Sequence, residues 1–249
     1  MENKFHLSVE DNIFIAKRNI IDYIYKSAKL EGIAVTFPQT EAIYNGVNVS
    51  SLKVDEITTI NNLKHAWQFL FETMSYPQVD FAYICEINRI VGANLFYQAG
   101  FIRNVPVTIG GTNWKPSIPF KEDIIDNINK IQQIQYDTDR AIELMLYLMR
   151  TQTFLDGNKR TAILCANRIL IENGAGIISI PVEKISEFKT HLLKYYETNK
   201  TEEIKHFIYH FCIDGIPIKQ PTTQELKEQI LQTEKFNYYR QNHSGSLKD

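Results

Sequence analysis

Apolar residues recur at helical spacing over most of the chain. From Ser8 or Asp11 to Leu30 they fall at Ile13, Ala16, Ile20, Ile24 and Ala28, and Gly32 stands where such a helix would stop. The polar run "TEAIYNGVNVSSLKVDE" breaks the pattern and predicts loop. Helices follow over Ile57–Met74 and Phe81–Leu95, the second with Ile84, Ile87, Val91 and Leu95 on one stripe. At "AGFIRNVPVTIGGTNWKPSIPF" the period changes. β-Branched residues alternate around Gly110-Gly111 with Pro106, Pro116 and Pro119 close by, which predicts a short hairpin. Helical spacing resumes over Ile118–Ile134, and again from Asp137 or Thr138, either of which can cap a helix carrying Ala141, Leu144, Met145 and Leu148. After a glycine turn, Ala162, Ala166, Ile169 and Leu170 form the buried stripe of a helix that Asn173-Gly174 ends. "GIISIP" reads as an edge strand or extended piece before helices over Glu183–Glu197 and Lys200–Cys212. From Pro221 the polar composition predicts one exposed helix and a frayed "NHSGSLKD" tail. The fold class is mainly α with one small β-hairpin.

Composition narrows the function classes. With 249 residues, 44% hydrophobic and 22% charged, the chain has the make-up of a soluble globular protein. A net charge of −2 supplies no electrostatic footprint for nucleic acid and no basic block for a membrane surface, so neither is expected as a partner. Cys85, Cys165 and Cys212 are far apart and outside CxxC spacing, which suits buried free thiols in a reducing compartment. "MENKFHLSVEDN" has no apolar signal region and no apolar run approaches spanning length; the cytoplasm is the expected location. His206 and His210 lie at i, i+4 in "HFIYH", but no HExxH glutamate separates them, and the pair reads as half-buried and structural. Tyr195-Tyr196 and Tyr238-Tyr239 read as packing or surface aromatics.

The stretch "RTQTFLDGNKR", Arg150 to Arg160, carries the chemistry. Gly157 permits a sharp turn, and the helix that follows from Asn158 offers unpaired N–H groups and the positive end of its dipole to an anion. Arg160 adds a fork-shaped cation suited to phosphate and Lys159 a point charge. Asp156 beside bound phosphates would be a magnesium ligand, since magnesium is commonly held by one or two carboxylates plus phosphate oxygens. Taken alone, the same residues read equally as a capped turn followed by a solvated Lys-Arg face.

Three elements together resemble the Fic (Fido) family. The turn matches its signature His-x-Phe-x-Asp/Glu-Gly-Asn-Gly-Arg-x-x-Arg at Phe154, Asp156, Gly157, Asn158 and Arg160. "FIRNVPVTIGGTNWKPSIP" looks like the family's flap, with Val107, Thr108, Ile109 and Gly110 placed to line up a target segment by strand addition. "SAKLEG" fits the inhibitory pattern Ser/Thr-x-x-x-Glu-Gly/Asn at Ser27, Glu31 and Gly32, although a plain helix end capped by Gly32 fits it too. The resemblance spans roughly residues 10 to 190. It implies an N-terminal segment (1–56) with an inhibitory-type helix (10–32), a Fic domain (57–199), and a C-terminal helical extension and tail (200–249). It also implies transfer of AMP from ATP, with Mg2+, to a Ser, Thr or Tyr hydroxyl of a protein target, and leaves room for a homodimer. Arg103 looks similar to a basic residue at the family's flap, or is a partner in a local salt bridge.

Three positions depart from the family pattern. Gln152 stands where the family has its catalytic histidine, and a carboxamide cannot take a proton near neutral pH; losing general-base help typically costs ~10²–10⁴-fold. Gln152 could still orient a hydroxyl or water. Lys159 replaces a glycine, as in Doc, a Fic-related toxin that phosphorylates its target. Ile163 occupies the place of the second arginine, which in the family binds the γ-phosphate and pairs with the inhibitory glutamate. The expectation is an impaired adenylyltransferase, with a nucleotide- or partner-binding pseudoenzyme and a Doc-like phosphotransferase as alternatives.

Overall fold

The computed structural model describes residues 1–215; the helix and tail expected from Pro221 onward, with Tyr238-Tyr239, lie outside the described residues. Ten α-helices, one short 3-10 helix (Val182–Lys184) and one strand pair are present among them. The centre is the pair α7 (Asp137–Thr151) and α8 (Asn158–Glu172), which pack on each other more extensively than any other two elements. Apart from Lys159, every residue of α8 from Asn158 to Ile171 is buried, because α1 (Val9–Arg18), α4 (Val54–Glu72) and α5 (Phe81–Val91) cover its remaining faces.

A helix enclosed on all sides must satisfy its polar side chains internally. Arg168 donates from Nη2 to the Thr73, Met74 and Tyr76 carbonyls at 3.2, 3.1 and 3.0 Å and pairs with Glu172. Asn167 meets Ile178 in both directions, Nδ2 to the carbonyl at 2.9 Å and Oδ1 from the N–H at 2.7 Å. That exchange fixes β1 (Ile177–Ile178), the strand expected in "GIISIP", which pairs antiparallel with β2 (Ile213–Asp214) in the register Ile177–Asp214 and Ile178–Ile213. The fold is therefore mainly helical with a small two-stranded sheet.

Several boundaries differ from the sequence expectation. The first helix is two, α1 and α2 (Ile20–Leu30), divided at Asn19, whose backbone leaves the helical region. The expected loop after Thr40 begins inside a short helix, α3 (Phe37–Tyr44), which a capping box between Thr36 and Gln39 starts. Helix α5 ends at Val91 because Gly92 caps it; a side chain there would meet the Phe96 ring at 2.3 Å. The hairpin expected around Gly110-Gly111 is an extended excursion with a turn at its tip, and among the described residues no backbone bonds cross it. Pro106, Pro116 and Pro119 remove ladder donors from both arms, which accounts for the missing pairing. Three further helices, α6 (Lys121–Gln132), α9 (Ile185–Thr198) and α10 (Glu202–Phe211), follow the expected order.

Truncating Asn167 to alanine strands a buried N–H and a buried C=O of Ile178 at once. We expect a loss of about 1–3 kcal/mol in urea unfolding. A change below 0.5 kcal/mol would show that the strand is held some other way.

Candidate active site

The turn between α7 and α8 is built on two left-handed residues. Gln152 ends α7 at φ 48°, ψ 58°, a conformation that costs a residue with a Cβ ~1–2 kcal/mol. Its side chain offsets that cost. Nε2 donates to the Met149 carbonyl at 2.6 Å, and Oε1 accepts from Asn158 Nδ2 at 3.2 Å. Asn158 also closes the loop on itself, accepting from the Phe154 N–H at 3.0 Å and donating to the Phe154 carbonyl at 2.8 Å, with the Phe154 ring buried beneath. Gly157, at φ 75°, turns the chain into α8 so closely against α5 that a Cβ would sit 3.1 Å from Asn88 Nδ2. The carboxamide of Gln152 thus makes one bond at each end to the turn, which leaves one N–H and one lone pair at the wall of the cavity beside the flap.

Arg103 makes no salt bridge among the described residues, contrary to one of the two sequence readings. It is buried and bonds only carbonyl oxygens: Nε to Gln152 at 2.5 Å, Nη1 to Val105 at 2.8 Å, and Nη2 to Ser117 at 2.5 Å and Thr151 at 3.4 Å. One guanidinium therefore ties both arms of the flap to the end of α7. Burial without an acid beside it pulls its pKa below the ordinary arginine value.

The motif residues divide between two hollows. Toward the flap, a cavity of about 350 Å³ is lined by Thr108, Ile109 and Gly110 on one side and Gln152, Lys159 and Tyr196 on the other. Val107 is half-buried in the same arm. Toward the N-terminal helices, a smaller hollow of about 210 Å³ is lined by Glu31, Asp55, Glu56, Asp156 and Arg160. Glu31 joins the two, with Oε1 at 3.5 Å from Lys159 Nζ and Oε2 at 3.8 Å from Arg160 Nε. Arg160, only 5% exposed, also donates to the Val91 carbonyl at 3.1 Å and lies 3.5 Å from Asp156. Asp156 remains 63% exposed, with Oδ1 accepting the Gly157 N–H at 2.6 Å. Ser27 contributes its backbone carbonyl to the last turn of α2, Gly32 leaves that helix at φ 86°, and Ile163 is buried.

Comparison with known proteins bears on this arrangement directly. Residues 78–170 match the Fic/DOC family. That stretch is similar to a Fic/DOC domain. It is 28% identical over 179 residues to protein adenylyltransferase fic-1 of Caenorhabditis elegans, covering 68% of this chain and 35% of that protein, and 27% identical to its Caenorhabditis briggsae counterpart. The chain thus spans about a third of the length of these relatives. Among solved structures, Fic-1 from C. elegans superposes with a TM-score of 0.68 at 22% identity, over 89% of this chain and 66% of that one. A Fic domain containing signaling protein from Bacteroides thetaiotaomicron gives 0.67 at 20% identity, over 82% and 86%. These likenesses show the fold.

The Fic/DOC match holds the flap, Arg103 and the whole turn, whereas Glu31 and Tyr196 come from outside it. Sequence reasoning missed two contributors. Asn88, fully buried on α5, donates to the Asp156 carbonyl at 3.0 Å and to Thr161 Oγ1 at 3.1 Å, and accepts the Gly100 N–H at 2.8 Å. An asparagine among Ile84, Ile87 and Val91 was the available signal, because buried amides need partners. Tyr196, read as packing, lines the flap cavity, and burial raises its phenol pKa so that it stays a protonated donor.

Arg103→Lys keeps the charge and loses the fork. We expect it to cost about 1–3 kcal/mol in chemical unfolding, while Arg89→Lys, at a side chain 59% exposed, stays within ~0.5 kcal/mol. Equal small effects at both positions would remove Arg103 from its bridging role.

Proposed function

We propose that this chain is a Fic-type nucleotidyltransferase, directed at a Ser, Thr or Tyr hydroxyl of a protein, whose turnover is limited by Gln152. The observation that carries the reading is the N-terminus of α8. The N–H groups of Asn158, Lys159 and Arg160 have no preceding helical turn to bond, and Lys159 stands in the wall of the flap cavity. Phosphates of ATP fit that end of the helix, and the apolar side chains of Ile109 and Leu192 suit the base.

Asp156 is the residue that would hold magnesium. Among the described residues no cluster of three His, Cys, Asp or Glu forms a self-sufficient metal site, so an ion here would take its remaining ligands from phosphate and water, the usual habit of magnesium. When bound, it would neutralise phosphate charge. The protein's own groups then have these tasks. The α8 N–H groups and Lys159 position the α-phosphate, the flap aligns the hydroxyl, the hydroxyl oxygen bonds phosphorus, and pyrophosphate leaves. The turn offers no conventional base for the hydroxyl proton, because Gln152 is an amide, so the proton passes to water as pyrophosphate leaves.

That engaged amide also favours a second reading, a Fic scaffold that binds nucleotide or a partner segment without turnover. Phosphate transfer of the Doc kind, motivated by Lys159, is separated by the same experiment. With α- or γ-labelled ATP, we expect trace labelling by the wild type and a ~10²–10⁴-fold gain of α-label in Gln152→His. Label from γ alone would mean phosphorylation. No label from either protein would overturn the transferase reading and leave the binding one.

Glu31 competes for the cations that phosphate needs. Its side chain is 17% exposed, and its partners at 3.5 and 3.8 Å are not tightly paired. We propose that α2 restrains nucleotide binding through this contact, and that Glu31→Gly tightens ATP by about 1 kcal/mol, roughly fivefold. Unchanged affinity in calorimetry would reduce "SAKLEG" to a helix end.

A further inference from the structure

A cavity larger than the one that holds Gln152 and Lys159 lies on the other arm of the flap. It measures about 500 Å³ and borders the return arm of the flap at Trp114, Pro116 and Ser117, where the 350 Å³ cavity borders Thr108 to Gly110. Its floor is one face of α7, with Glu143, Tyr147, Arg150 and Thr151 at i, i+4, i+7 and i+8. A volume of this size suits a small ligand.

Arg150 is built into the cavity. Its guanidinium carbon lies 4.4 Å from the centroid of the Trp114 ring and 5.9 Å from that of Tyr195, and Nε donates to the Tyr196 carbonyl at 3.2 Å. Two rings and one hydrogen bond fix the plane of the group. The two terminal nitrogens have no acceptor among the described residues, because the acid in the same cavity, Glu143, is held by Lys205 at 2.6 Å. A planar cation oriented on one edge and unbonded on the other is matched by a carboxylate, which takes two parallel N–H bonds. Glu143 in the same wall opposes a multiply charged phosphate more than a monocarboxylate, and favours a ligand that also carries an ammonium group.

We propose that this cavity is a binding site for a small α-carboxylate of the amino-acid class, either a free amino acid or the C-terminus of a peptide, with Arg150 as the bidentate anchor. Occupancy bears on the flap, because Trp114 stacks on Arg150 from one side and on Tyr196, which lines the neighbouring cavity, at 5.8 Å. The site is independent of the nucleotide reading, and no nucleotide enters its test.

Tryptophan emission supplies the readout. Trp114 forms the cavity wall, while Trp67 is buried at 2% exposure and gives a constant background. L-Alanine, trialanine, trialanine amide and inorganic phosphate would each be titrated into the full chain. We expect a saturable change with L-alanine or trialanine, and binding at least tenfold weaker for the amide, for phosphate and for Arg150→Lys. Response to the free amino acid points to a metabolite, and response to the tripeptide alone points to a chain terminus. Equal binding of acid and amide, tighter binding of phosphate, or no saturable response to any probe would overturn the proposal. Should Arg150→Lys fail to fold, the acid and amide pair on the wild type decides alone.

Discussion

A single carboxamide, that of Asn158, holds the centre of this structure in shape. It closes the Phe154 backbone in both directions and reaches Gln152, so the two left-handed turns at Gln152 and Gly157 become one rigid corner. Everything functional depends on the corner's direction. It ends α7 at Gln152 and starts α8 with Lys159 in the wall of the flap cavity and Arg160 in that of the smaller hollow. Arg103 extends the same rigidity outward, because the carbonyls it collects belong to both flap arms and to Thr151 and Gln152. A flap without ladder bonds would otherwise have little to fix its position.

Charge around the corner is balanced locally. Arg160 is shared among Val91, Asp156 and Glu31, while Lys159 divides its reach between Glu31 and the flap cavity. An incoming phosphate therefore enters a set of cations that already has an anion in it. Ile163 matters here as an absence of charge: with no second arginine on that face of α8, Glu31 falls to the two cations one helical turn earlier. On the proposed reading, restraint by Glu31 and phosphate binding are one electrostatic equilibrium.

Much of this was legible in the sequence where the information is local. The stripe of α8, the glycine at Gly157, the Asn173-Gly174 stop and the extended "GIISIP" each follow from a few adjacent residues. What was not legible depends on distant partners. Asn88 stands within an apolar stripe, and its role rests on the distant Asp156 and Thr161 that complete its bonds. Arg103 read either as a flap residue or as an ion-pair partner, and its bonds go to carbonyls of the flap and of α7's end. Helix α3 was hidden because its start rests on the Thr36–Gln39 capping box rather than on a strong apolar face. The flap kept its glycine turn but lost its pairing, because alternation was read without counting the donors that three prolines remove.

The central claim is that the α8 N-terminus and Arg160 form the phosphate end of a nucleotide site. Calorimetry of Mg-ATP on the wild type and on Arg160→Ala tests it most directly. The account predicts measurable binding to the wild type and a loss of about ten- to a hundredfold in the variant, the worth of charge-assisted hydrogen bonds of ~1.5–3 kcal/mol. Equal affinity in a folded Arg160→Ala protein, or no binding to either, would contradict it.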